Sequence, residues 1–279
     1  MEVILAFLMI FFIGALSLVG LFLISINEKK LDKLLFFLVA FATGTILATA
    51  LFDLIPESIH HLEELNAEGA GLSESIVFIF VMLGYIAFFF LERFIYWFHG
   101  HAHERDNKLV CYENVGGQVD RKISGEKKVQ NFAILNLVGD GLHNFLDGVI
   151  IVVAFLSGIN IGIIITLAVL FHELPQEVGD FSILIYGGFT KKKALLFNFS
   201  SAMIAFLGGF FALILSSILE SFNLFFLAFS GGGFLYLATT ELMPELLKEK
   251  KLKKSIIQAG IFLGGVLLIL LLGNVLPHA

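Results

Sequence analysis

The chain has 279 residues, 58% of them hydrophobic, with 32 Phe, a mean hydropathy of +0.92 and a formal net charge of −6. That is more apolar material than a soluble domain of this length can bury, so lipid is required as solvent. No nucleic-acid partner is expected, and a single cysteine, Cys111, excludes an internal disulfide.

Windows of roughly 20 mostly apolar residues, the length that crosses a hydrocarbon core, fall eight times, at 3–26, 33–56, 75–98, 131–156, 161–188, 193–218, 223–246 and 255–276. The first lacks a basic leading region and is longer than a signal-peptide core, so it reads as a true span. Charge placement tests the count independently. Every Lys and Arg falls in the segments joining spans one to two, three to four, five to six and seven to eight, or in the adjoining helix turns. With both termini outside, this is the positive-inside asymmetry without exception. The outer segment around Glu63, Glu64, Glu68 and Glu74 is acidic, which suits either a cation-gathering entrance or a plain solvated loop. Residues 99–130 read as a flexible cytoplasmic loop with mixed charge and little periodicity. Its His99, His101 and His103 form an HxHxH tract, either a weak metal-binding segment or scattered polar residues.

The second span ends ATALFDLIPES (Ala48 to Ser58) and the seventh ends ATTELMPEL (Ala238 to Leu246), so an acid-Leu-x-Pro-Glu ending occurs twice. In an eight-span topology the two copies point oppositely, as in transporters built from repeats related by a two-fold axis in the membrane plane. Ordinary Pro-terminated helix ends are the simpler alternative. The predicted fold is all-α and integral to the membrane. An inverted repeat of helices 1–3 and 6–8 surrounds a central pair, 4 and 5, in one domain spanning residues 1–279.

Those two central spans carry the chemistry. HNFLDG (His143 to Gly148) and HELPQEVGD (His172 to Asp180) put imidazoles and acids inside apolar runs, where ionisable groups usually mark an ion or proton path. His143 lies about twelve residues into its span and His172 about eleven, so at ~1.5 Å per residue both sit near the midplane. His143 and Asp147 share a face at i, i+4, with Asn144 alongside; His172 shares one with Gln176, beside an acidic stripe of Glu173, Glu177 and Asp180. Such nitrogen and oxygen donors suit zinc, iron, cobalt or manganese. Pro175 removes a backbone hydrogen bond and predicts a kink within the site.

GDGLHNFLDG (Gly139 to Gly148), HELPQEVGD and GGGFLYLATTELMPE (Gly231 to Glu245) resemble the fourth, fifth and seventh helices of the ZIP (Zrt/Irt-like protein) family of divalent metal transporters. The likeness covers essentially the whole chain and is greatest to the subfamily with HExPHExGD in the fifth helix. It implies transport of a divalent cation, most readily zinc, into the cytoplasm, with the metal as substrate and no cofactor. It also implies a binuclear site, with His143, Asp147, His172 and position 176 around one ion and Asn144, Asp147 and Glu173 around a second. Elevator-like alternating access is the implied mechanism. Gln176 departs from the pattern, standing where the subfamily has His; a neutral amide is a weaker ligand. Glu177 completes the predicted ligand set. Asp53 stands where relatives often carry His, and it joins Asp140, Asp180 and Glu241 as candidates for the path by which metal enters or leaves.

A membrane-embedded zinc protease is the rival reading, but HExxH needs a second His where this chain has Gln176. A passive channel would need a continuous pore lined by repeated polar rings. The expected setting is the plasma membrane of a prokaryote, with lipid and metal cations as partners. Gly- and Phe-rich helix faces suit a homodimer and internal packing equally.

Overall fold

The computed structural model describes residues 1–19, 28–106, 131–218 and 221–275. Eight helices in it are long and apolar enough to cross a membrane, in the order that the hydropathy windows predict. α1 is Glu2–Leu16, tightening into a 3₁₀ turn at Ser17–Val19. α2 runs Glu28–Thr49, through a π turn at Ala50–Leu54, into Ile55–Ala67. α3 is Ser75–Asp106, α4 Asn131–Ser157 and α5 Ile159–Tyr186. α6 comprises Lys191–Ala202 and Ala205–Ile218. α7 is Phe222–Tyr236, a π turn at Leu237–Leu242, and Met243–Leu247; α8 is Leu252–Val275.

Two boundaries differ from expectation. Pro56 does not end α2: it occupies the first turn after the π turn, where its missing N–H costs no helical hydrogen bond. Glu63 and Glu64, expected in a loop, are therefore helical. α3 continues past 98 to Asp106, so the helical backbone includes His99, His101 and His103, whose side chains lie outside the described residues along with residues 107–130. α5 is helical throughout, with Pro175 inside it.

Burial places the central pair. In α4, 72% of the spanning window is buried, against 17% in each of α3 and α8. The outer helices turn Phe78, Ile79, Phe90, Leu207, Leu263 and Leu271 outward, while Asp53, Asp140, Asp147, Glu173 and Glu177 are buried. This inverts the soluble pattern, as lipid demands. The largest apolar core joins Ile46, Ala50 and Leu54 of α2, Val149–Phe155 of α4, Ile165 and Val169 of α5, and Phe234 and Leu237 of α7.

Lipid supplies no hydrophobic drive between helices, so close approach of backbones does the work. α2 packs on α8, and α7 on α3. A Cβ built on Gly44 would stand 2.1 Å from the Phe262 carbonyl oxygen, and one on Gly265 2.5 Å from that of Phe41. In the other pair, Gly232 meets the Val81 oxygen and Gly84 the Phe229 oxygen, both at 1.9 Å. These contacts are copies of one another. Phe41 and Gly44 precede Phe229 and Gly232 by 188 residues, and Val81 and Gly84 precede Phe262 and Gly265 by 181. The same 188-residue shift carries Asp53, Pro56 and Glu57 onto Glu241, Pro244 and Glu245, and the end of one π turn onto the end of the other. The repeat therefore extends from the helix-end motif to the backbone contacts.

Candidate metal centre

α4 and α5 pack side by side, and four side chains converge between them: His143, Asp147, His172 and Glu173. His172 Nε2 lies 3.1 Å from Asp147 Oδ2 and 3.3 Å from His143 Nε2. Glu173 Oε1 lies 3.6 Å from both imidazole Nε2 atoms, and His143 Nε2 lies 3.8 Å from Asp147 Oδ2. Four ligands at about 2.0–2.1 Å from a tetrahedral zinc stand roughly 3.3 Å from one another, so the donor atoms are already near their spacing around an ion.

The surroundings prepare these atoms. His172 Nδ1 is 3.2 Å from the carbonyl of Ala168, one turn back on its own helix. Donating its N–H there leaves the Nε2 lone pair facing the cluster, an arrangement that orients ligating imidazoles. Both Glu173 oxygens are buried with no hydrogen bond among the described residues, and Asp147, which faces them, is another acceptor. Two carboxylates buried side by side need a cation or a proton between them. Phe88 of α3 and Phe234 of α7 stand edge-on to His143 and His172 with ring centroids 6.5 and 5.6 Å away, walling the cluster. Gly233 makes room: a Cβ there would meet the Phe88 ring at 2.4 Å.

Access is one-sided. A cavity of about 380 Å³ runs from His143, His172 and Gln176 past Asp140, Asn136 and Asp180 to Glu92 and Glu245. That is the end bearing Lys191–Lys193 and Lys248–Lys254. At the other end Ala50, Leu54 and Val149–Val153 belong to the dry core.

The remaining candidates are placed elsewhere. Asn144 donates its amide to Asp140 Oδ1 at 2.8 Å, leaving only its own oxygen for a cation. Gln176 lines the cavity beside Asp140. Glu177 turns from the cluster and accepts a hydrogen bond from Asn198 of α6. Asp180 accepts from Asn136 at 2.7 Å. Asp53 is buried in the α2 π turn at the closed end, its Oδ1 3.8 Å from where a Gly273 Cβ would stand on α8. Glu241 lies on the α7 π turn, its side chain outside the described residues. Reading the sequence passed over Asn198, whose signal was a buried amide in an otherwise apolar stretch, and Asn136. It also passed over the hydrogen bond from Tyr236 to Glu92 at the cavity mouth.

The family model described as ZIP Zinc transporter matches residues 2–273. Zinc transporter zipt-7.1 of Caenorhabditis briggsae is 32% identical over 247 residues, covering 76% of this chain and 62% of its own length. Zinc transporter SLC39A7 of Mus musculus is 29% identical over 324 residues, covering 94% and 68%. Metal cation symporter ZIP14 of Xenopus tropicalis is 31% identical over 295 residues, covering 88% and 62%. The chain thus spans between 62% and 68% of the length of these three relatives. With eight helices fit to span a membrane and a match running over nearly its whole length, the chain belongs to the ZIP zinc transporter family.

Proposed function

We propose that this protein carries divalent transition-metal cations, zinc foremost with iron, manganese, cobalt and cadmium as further cargo, across the bilayer by alternating access. The observation that carries the reading is the convergence of His143, Asp147, His172 and Glu173, with the imidazole Nε2 atoms 3.1–3.8 Å from one another and from the carboxylate oxygens. The cation exchanges water for these four groups. Asp147 and Glu173 neutralise its charge, while the two neutral imidazoles supply softer donors. Asn144, Asp147 and Glu173 serve a second ion in the same reading. The cation leaves along the cavity past Gln176, Asp140 and Asp180 to the lysine-bearing end, which charge asymmetry assigns to the cytoplasm. Both termini are then outside. The relatives named above are animal proteins, so the comparisons lend the prokaryotic plasma membrane no support.

The test is metal flux into proteoliposomes loaded with a fluorescent chelator, with Zn, Fe(II), Mn, Co and Cd presented separately to the wild type and to His172→Ala. Flux that His172→Ala abolishes is the expected result and ranks the cargo. Correctly inserted wild-type protein that moves no metal overturns the reading.

A further inference from the structure

A second group of imidazoles and carboxylates lies at the closed end of the bundle, away from the central cluster. Asp53, Glu57 and His61 follow one another at i, i+4 and i+8 on α2 and so share a face. His61 is ringed by oxygens. Its Nδ1 is 3.1 Å from Glu64 Oε2, and its Nε2 is 2.9 Å from Ser157 Oγ at the end of α4 and 3.8 Å from Glu57 Oε1. When the Ser157 hydroxyl donates to the Val153 carbonyl, 3.1 Å away, its oxygen meets His61 as an acceptor. Both ring nitrogens therefore face acceptors, whereas a neutral imidazole carries one N–H. A cation at Nε2 then completes the arrangement. Glu57 is 6% exposed, and beside it a cavity of about 250 Å³ is lined by Glu57, Ser157, Asn160 and Glu2.

We propose that His61, Glu57 and Ser157 form an outer loading site for a divalent transition-metal cation, with Glu64 orienting the His61 ring. A metal on Nε2 leaves the Nδ1 proton for Glu64, and a carboxylate holding the far nitrogen of a ligating imidazole fixes the ring and raises its basicity. The donors at 2.9 and 3.8 Å from Nε2 bracket the roughly 3.3 Å between ligands of a tetrahedral ion, and water from the cavity fills the coordination. One imidazole and one carboxylate hold a cation less firmly than the four side chains of the central cluster, which suits capture and release. Asp53, one turn deeper than Glu57, is the next carboxylate inward. Ile46, Ala50 and Leu54 of the dry core lie beyond it and keep a cation at this end in the present conformation. The identity of the cargo rests on the transport reading; the existence of the site does not.

The test is equilibrium binding of Co(II) to the full chain in detergent, read by its visible absorption. It uses a background in which His143 and His172, and the loop residues His99, His101 and His103, are all replaced by Ala, so that neither the central imidazoles nor the HxHxH tract contributes. That variant is expected to retain one Co(II) equivalent at this end, and adding His61→Ala or the isosteric Glu57→Gln removes it. Glu64→Gln keeps the equivalent but weakens it by about 10–100-fold, the usual cost of losing the carboxylate behind a ligating imidazole. Co(II) absorption and stoichiometry in the background variant that neither His61→Ala nor Glu57→Gln alters overturn the site. That result stands whatever flux the wild type shows in proteoliposomes.

Discussion

The two acid-Leu-x-Pro-Glu helix ends are one motif in two surroundings. Asp53 and Glu57 on α2 are buried beneath the apolar core, while Glu245 on α7 is exposed, lines the open cavity and pairs with Lys248. Their backbones match: each follows a π turn, and each helix crosses its neighbour through reciprocal glycines at equivalent positions. Equal backbones in unequal environments are what an inverted repeat adopts when the midplane site opens to one side only. The central cluster then belongs to neither half, and in the alternating access proposed above, exchanging the two surroundings is the step that moves cargo.

The largest effect comes from breaking the shared centre. His143→Ala/Asp147→Ala removes one imidazole and the carboxylate nearest His172, and metal flux in proteoliposomes is expected to fall to background at normal surface expression. Normal flux would remove these residues from the mechanism. A matched cysteine pair probes the asymmetry itself. Leu54 and Leu242 are equivalent positions, but Leu54 is fully buried and Leu242 lines the cavity. In a Cys111→Ser background, Leu242→Cys should react readily with a water-soluble maleimide while Leu54→Cys is protected by more than about tenfold, as burial requires. Equal labelling of both cysteines would contradict a one-sided opening. Acid should act wherever an imidazole is a ligand: ligation needs neutral imidazole, so uptake at subsaturating metal is expected to fall as the pH drops through the histidine range. A flat profile would count against histidine ligation. The smallest effects sharpen the equivalence of the halves. Gly44→Ala and Gly232→Ala each push a methyl into a backbone carbonyl and should destabilise by similar amounts, roughly 1–3 kcal/mol. Gly264→Ala, which meets open space, should leave the thermal melt unchanged. A large difference between the first two melts would break the repeat as a packing unit.

Much of this was legible one residue at a time. The eight spans followed from apolar run length, because a segment in lipid must satisfy its own backbone and has only the helix available. The depth of His143 and His172 followed from counting residues along those spans. The direction of each side chain did not follow. In the sequence, Asp147, Glu173 and Glu177 read as members of one ligand set and Asp180 as part of the metal path. The first two reach the cluster, while Asn198 of α6 draws Glu177 away and Asn136 of α4 holds Asp180. Those partners lie 21 and 44 residues off in sequence, beyond any periodicity. Pro56 misled for a related reason: proline stops a helix only where its N–H is needed, and the π turn before it changes which donors are needed.

By itself, then, the sequence determined what lipid and charge dictate locally: the number of spans, the end that bears the lysines, the two-fold motif, and imidazoles and carboxylates at one depth. Only the tertiary structure decided which of those groups meet, which end of the bundle is open, and that His61 sits among oxygens from two helices. Hydropathy acts through the contact of each residue with its solvent, whereas a ligand cluster depends on the crossing of helices whose glycines and amide partners lie far apart in the chain.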